Sequence, residues 1–305
     1  MFAKTTSFQK EKNLSIVQIA TDNQNSFSYI SGPAAIKDDL IQVKEVSESG
    51  SVNMLHVFNL SEKFVFFMDG DILSGAKQNR VLNTSVLLAP NTKTHIPVSC
   101  VERGRWSHIS DKFGSADYAA PSFMRAKKSF RVNQNLRTKG VHESDQGEVW
   151  RDVDHYAMKF KIESQSLNLS DVYDGKEKDF DSFIKSFTLN PNANGMAVFV
   201  KDNLLNLDIF NRTDIFAEYF PKILKGCSME AFGLKGESKM AEAEASYKTL
   251  TFIDEFENLT FREHAGVGVG KEKRFQSEDL TGFELVYNSN MIHLTALNLK
   301  KDEDK

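Results

Sequence analysis

Nine side chains between Lys77 and Trp106 have the types and spacing to hold an anion or a sugar: Lys77, Gln78, Asn79, Arg80, Asn83, Glu102, Arg103, Arg105 and Trp106. In Gly75-Ala76-Lys77-Gln78-Asn79-Arg80, a step of small residues precedes four long polar ones. Small residues would let a ligand approach the backbone, Lys77 and Arg80 could take phosphate oxygens, and Gln78 and Asn79 could bond ribose hydroxyls or a base. Lys77 is not followed by Ser or Thr, so this is no P-loop. A polar turn into an edge strand accounts for the same residues.

The second half of the group, Cys100-Val101-Glu102-Arg103-Gly104-Arg105-Trp106, ends an apolar run. If the chain turns at Pro90-Asn91-Thr92, positions equidistant from the turn face each other, and Arg80 comes close to Glu102 or Arg103. Glu102 would then be the candidate general acid/base or a ribose acceptor, the arginines a diphosphate clamp, and Trp106 a stacking surface. A cross-strand ion pair of Arg80 with Glu102 beside a core Trp is the competing reading. Gln146 and Trp150 join the candidates from the first turns of a helix whose N-terminus could receive an anion, although Trp150 also suits a core position. Cys100, in an apolar strand with no neighbouring histidine, reads as a buried thiol.

Other chemistry finds little support. His95, His108, His142 and His155 form no His-x-x-x-His or His-x-His pair, so metal binding would need tertiary convergence and no metal ligands are expected. Gly266-x-Gly-x-Gly270 lacks the third-glycine spacing of a dinucleotide fingerprint and reads as a turn between strands. No Gly-x-Ser-x-Gly elbow occurs.

The elements that must position these residues follow from apolar patterning. Short β-like runs at 14–20, 27–30, 38–46, 54–60, 64–68, 81–89 and 96–101 give about seven strands in the first hundred residues, in the manner of an antiparallel sandwich or barrel. Residues 64–68 are apolar on both faces and fit a central strand. Residues 116–135 read as partly helical. Asp145 with Glu148 makes a capping-box-like start to the clearest helix, with Val149, Val153, Tyr156, Ala157 and Phe160 on one face. Residues 196–200 and 204–210 flank Lys201-Asp202-Asn203 as a hairpin. A helix follows from Thr213, which Pro221 should kink or split, and another spans 239–256. Strands are expected at 260–262, 283–287 and 291–298, the last two joined by Asn288-Ser289-Asn290. The polar stretch 164–178 reads as a linker and 300–305 as a charged tail. The fold class is α+β: a β-rich antiparallel, sandwich-like half over 1–110 and a mixed helix/strand half over 111–305, as two parts or one continuous domain.

The chain has 305 residues, a formal net charge of −4 and 24 Phe, which suits an ordinary globular core with aromatic-rich packing. The acidic balance argues against general nucleic-acid binding, and no apolar run reaches the roughly 20 residues of a membrane span. With no apolar leader and two cysteines 127 positions apart, a cytoplasmic protein is expected.

The segment GAKQNRVLNTSVLLAPNTKTHIPVSCVERGRW closely resembles the signature of the ARPP type-one family, named for its association with ADP-ribosylglycohydrolases and rhodanese/phosphatase proteins. The resemblance continues through GEVWRDV, MAVFVKDNLLNLDIF and GVGVGKEKRF. It implies, by association, a protein that handles NAD-derived nucleotides, and it falls on Gln78, Asn79, Arg80, Asn83, Glu102, Arg103, Arg105, Trp106, Gln146 and Trp150. The expected function is therefore binding of a small-molecule nucleotide such as ADP-ribose, with hydrolysis in view. The alternatives are a non-enzymatic module that sequesters such a nucleotide or regulates a partner enzyme, and a structural homo-oligomer. No cofactor is identified.

Overall fold

The computed structural model describes residues 1–25, 27–46, 53–104, 112–256 and 258–300. Its first hundred residues hold ten strands among those described: β1 (Ala3–Glu11), β2 (Leu14–Thr21), β3 (Tyr29–Ser31), β4 (Ile41–Glu45), β5 (Met54–Asn59), β6 (Phe64–Phe67), β7 (Asp71–Gly75), β8 (Arg80–Leu82), β9 (Val86–Leu88) and β10 (Lys93–Cys100). One short helix, α1 (Gly32–Lys37), follows β3. Next come β11 (Phe113–Ala119), α2 (Ser122–Lys139), α3 (Gln146–Phe160), α4 (Leu169–Gly175) and α5 (Glu177–Ile184). The chain finishes with β12 (Gly195–Val200), β13 (Asn203–Phe210), α6 (Thr213–Ala231), α7 (Glu242–Phe256), β14 (Arg262–Ala265), β15 (Val267–Gly268), β16 (Lys271–Gln276), β17 (Leu280–Tyr287) and β18 (Asn290–Asn298).

The strands make three sheets of an α+β fold. An eight-stranded antiparallel sheet runs β1-β2-β12-β13-β18-β17-β16-β14, joining the first strands of the chain to the last. A six-stranded antiparallel sheet runs β11-β7-β8-β10-β5-β4. The third, β15-β9-β6-β3, has four strands and parallel pairs at both ends. Helix α2 lies against β16, β17 and β18, and α6 against β11, β12 and β13. Between them Phe66, Phe210, Phe216, Tyr219 and Phe283 build an aromatic core, while Phe160 and Phe180, and Phe199, Phe256 and Phe275, pack in two other clusters. No helix among the described residues is long and apolar enough to cross a membrane.

Four local expectations change. The run 81–89 is two strands, β8 and β9, in different sheets, because Asn83, Thr84 and Ser85 between them give their side chains to buried hydrogen bonds with other elements. Strand β10 meets β8 with Cys100 opposite Arg80, so Glu102 lies beyond the ladder and instead bridges Asn168. Helix α6 continues through Pro221 unsplit: the missing N–H costs one bond to the Ala217 carbonyl, while Ile215, Phe216, Tyr219, Ile223 and Leu224 bury the helix face on either side. The stretch 164–178 is no linker. It contains α4, whose Leu169, Val172 and Tyr173, spaced three and four apart, are buried.

The helix that carries Gln146 and Trp150 starts where the sequence places it. The Asp145 side chain accepts from the Glu148 N–H at 2.8 Å, satisfying one of the orphan donors of the first turn. Asp145→Ala is expected to cost about 1 kcal/mol of stability, read as a lowered denaturant midpoint with an unchanged slope.

Candidate functional site

The polar residues of 78–102 meet around the thiol of Cys100. The β7–β8 turn sets them up: Gly75 and Ala76 both have positive φ, +122° and +44°, which reverses the chain tightly enough to bring 78–80 back beside β10. Gln78 Nε2 donates to the Glu102 carbonyl at 2.7 Å, and Arg80 Nη1 donates to Gln78 Oε1 at 3.1 Å. The Asn79 N–H donates to Glu102 Oε2 at 3.0 Å. Cys100 Sγ–H donates to the Glu102 carbonyl at 2.9 Å and lies 3.2 Å from Gln78 Oε1. From α3, Gln146 takes the Cys100 N–H and donates to the Cys100 carbonyl, at 2.7 and 2.8 Å, extending the strand with a side-chain amide. Asn79 Nδ2 reaches Ser170 Oγ at 3.0 Å and Asn168 Oδ1 at 3.3 Å, tying in α4.

This cluster is interior. Arg80 is 0 % exposed and Glu102 2 %, and Arg80 Nη2 lies 3.5 Å from Glu45 Oε1. Burial pushes the Cys100 thiol up, only partly offset by its Glu102 hydrogen bond and by Arg80, so the thiol form is favoured over a nucleophilic thiolate. The rim is different. The Arg103 N–H donates to the Leu167 carbonyl and the Gly104 N–H to the Ser166 carbonyl, at 3.3 and 2.6 Å, a short backbone clamp that holds 103–104 against 166–167. There the Arg103 guanidinium, 42 % exposed, stands 6.0 Å from the Trp150 ring centroid and 3.5 Å from Asp154. Lys77 is half-buried on the β7–β8 turn. Asn83 sits apart, accepting from Ser99 Oγ and donating to the His142 carbonyl. Arg105 and Trp106 lie outside the described residues.

A second polar assembly went unread in the sequence. Arg125 of α2 forms paired hydrogen bonds to both Asp69 and Asp208, at 2.7 to 3.1 Å, and all three are essentially fully buried. Beside them Ser85 Oγ lies 3.0 Å from His293 Nδ1, and His293 Nε2 lies 3.3 Å from Asp208 Oδ1. The order Ser–His–Asp resembles a hydrolase relay, but each member is 0 % exposed and Ser85 also accepts the Asp69 N–H. Ligand atoms of Asp69, Asp208 and His293 lie within 4.8 Å of one another, a spacing that would suit a metal; the guanidinium between the carboxylates already supplies the cation. Burial would raise the Asp208 pKa, but Arg125 and His293 outweigh it and hold the carboxyl well below its usual range. A third knot joins Thr84, Glu272, Arg274 and His142.

A third candidate is a cleft of about 610 Å³ among α1, β11, α5 and α6, lined by Lys222 and Lys225. Lys222 is paired with Asp71 and donates to Ser115 Oγ at 3.1 Å, while Lys225 takes Asp117 and Asp181 at 3.0 and 3.3 Å. Both lysines are nearly buried in these pairs, 6 % and 8 % exposed, whereas Arg103 keeps 42 % of its side chain exposed beside Asp154, so the rim offers an anion more.

Two titrations check these assignments. Lys128, near Arg125 and donating to the Leu82 carbonyl, has its pKa lowered by burial from 10.5 to about 7. Between those values the unfolded chain binds more protons, so stability rises with pH from 7 towards 10.5. Lys128→Met is expected to raise the melting temperature at pH 7 and to flatten that rise, since the Leu82 carbonyl keeps the Gly70 N–H. Glu272, held by Arg274 and His142 at about 2 against 4.5 unfolded, contributes stability that is lost as pH falls from 4.5 to 2. Glu272→Gln is expected to cost about 3 kcal/mol at pH 7, by stranding the Arg274 charge, and to weaken the acid dependence seen in a pH series of denaturant midpoints.

Comparison with known proteins gives one match. No curated protein and no solved structure is similar to the chain. The family model described as the ARG and Rhodanese-Phosphatase-superfamily-associated Protein domain matches residues 3–297, nearly the whole chain, and the chain belongs to that ARPP-1 family.

Proposed function

We propose that the chain binds an NAD-derived nucleotide such as ADP-ribose at the rim above Cys100, and that it acts as a binding module that sequesters the nucleotide or reports it to a partner enzyme. The observation carrying this reading is the exposed Arg103 guanidinium standing over the Trp150 indole at the end of a rigid, buried network. A guanidinium matches two phosphate oxygens at once, and an indole offers a flat face to a base. The diphosphate would replace Asp154 as the partner of Arg103. Burial of Glu102, with its carboxylate engaged by the Asn79 N–H, favours binding over acid/base turnover.

Calorimetry with ADP-ribose is expected to give a saturable isotherm, with the nucleotide recovered intact by chromatography. Arg103→Ala is expected to weaken affinity at least tenfold and leave the melting temperature within about a degree, because the side chain is exposed. Absence of heat and of any thermal shift with both ADP-ribose and NAD refutes the binding reading, and appearance of cleavage products replaces the module with an enzyme.

A further inference from the structure

We propose that His56 and His95 form a two-imidazole site for a divalent transition cation, Cu²⁺ or Zn²⁺, on the outer face of the six-stranded sheet. The two residues are 39 positions apart in sequence and directly opposite in the β5–β10 ladder, so no spacing motif betrays them. Their rings are stacked, with centroids 4.3 Å apart and planes 26° apart, and their Nε2 atoms lie 2.5 Å from each other.

Two imidazole nitrogens that close cannot both carry protons. Nor do they make a good N–H···N bond, which wants the donor aimed along the acceptor's ring plane, whereas stacked rings set both in-plane lone pairs side by side. Tipping the two rings out of their stack aims both lone pairs at one point in front of the pair. With metal–nitrogen bonds of about 2.0 to 2.1 Å, two cis imidazoles need Nε2 atoms roughly 3 Å apart. Rotation of half-exposed side chains opens that distance without moving either strand.

The surroundings tune the site. On β4, Lys44 lies opposite His56, and Lys93 precedes His95 by two positions on β10. Both ammoniums lie over the Phe58 ring, at 5.8 and 5.3 Å from its centroid, and Phe58 sits two positions along β5 from His56. The same lysines repel a dication, so the affinity expected is micromolar, with Cu²⁺ held more tightly than Zn²⁺, as the divalent series dictates.

Titration of the full chain with Cu²⁺ alone, followed by calorimetry and electron paramagnetic resonance, is expected to show one site with nitrogen hyperfine structure from two imidazoles. His56→Ala and His95→Ala are each expected to weaken it at least tenfold while leaving the melting temperature within about a degree. Retention of wild-type affinity in either variant, or a spectrum without paired nitrogen ligands, overturns the proposal.

Discussion

One guanidinium locked between two buried carboxylates fixes how the layers of this molecule meet. Arg125 comes from α2, Asp69 from the turn between β6 and β7, and Asp208 from the middle of β13, so three separate parts of the chain agree on a single point. Thr295 on β18 adds a fourth, at 3.2 Å. Removing three charges from water is costly, and the pairing is favourable only because the hydrogen bonds run two to each carboxylate. Loss of one partner would strand a charge in the core. Gly70 belongs to the same constraint. It has φ +80°, and a Cβ there would stand 2.8 Å from the Arg125 side chain.

From that point the candidate site is set by short stretches of chain. Asp69 and Gly70 lead into β7, β7 into the Gly75-Ala76 reversal, and the reversal into Gln78, Asn79 and Arg80. The next residues, Asn83 to Ser85, plug side chains into three places: Ser99 beside Cys100, Glu272 of the third knot, and His293 beside Asp208. A segment that reads as a continuous apolar strand is thus a polar splice between sheets. The rim that carries Arg103 inherits its position from this framework, since Leu169 N–H and the Asn168 bridge hold α4 against 101–102.

Local signals in the sequence survive folding well. The Asp145 cap, the hairpin at 201–203 and the central strand at 64–67 stand as patterned, because each is decided by neighbours a few residues away. The nearness of Gln78 to Arg80 and Glu102 was legible, but not its route: β9 pairs with β6 and not with β10, so no hairpin at 90–92 joins them, and β8 itself meets β10. What was not legible is burial of charge. Arg125 on a polar helix reads as a solvated residue, and its partners lie 56 and 83 positions away. Asn168 and Ser170 had the same fate: with so polar a surrounding sequence, their stretch looks like a connector, although three apolar residues are enough to seat α4. The strands β1, β7, β11 and β16 carried too few apolar residues, or too mixed a face, to register.

The sheet order also bears on how the polypeptide is made. Strand β2 pairs with β12, and β9 receives the parallel β15, whose Val267 lies level with Val86. A ribosome releases β2 and β9 long before either companion has been synthesised, so both wait with bare ladder edges in the nascent chain. Long loops must close before these contacts reward them, which slows the final assembly. Until its last strands emerge, the nascent chain carries two open β edges able to pair with another chain.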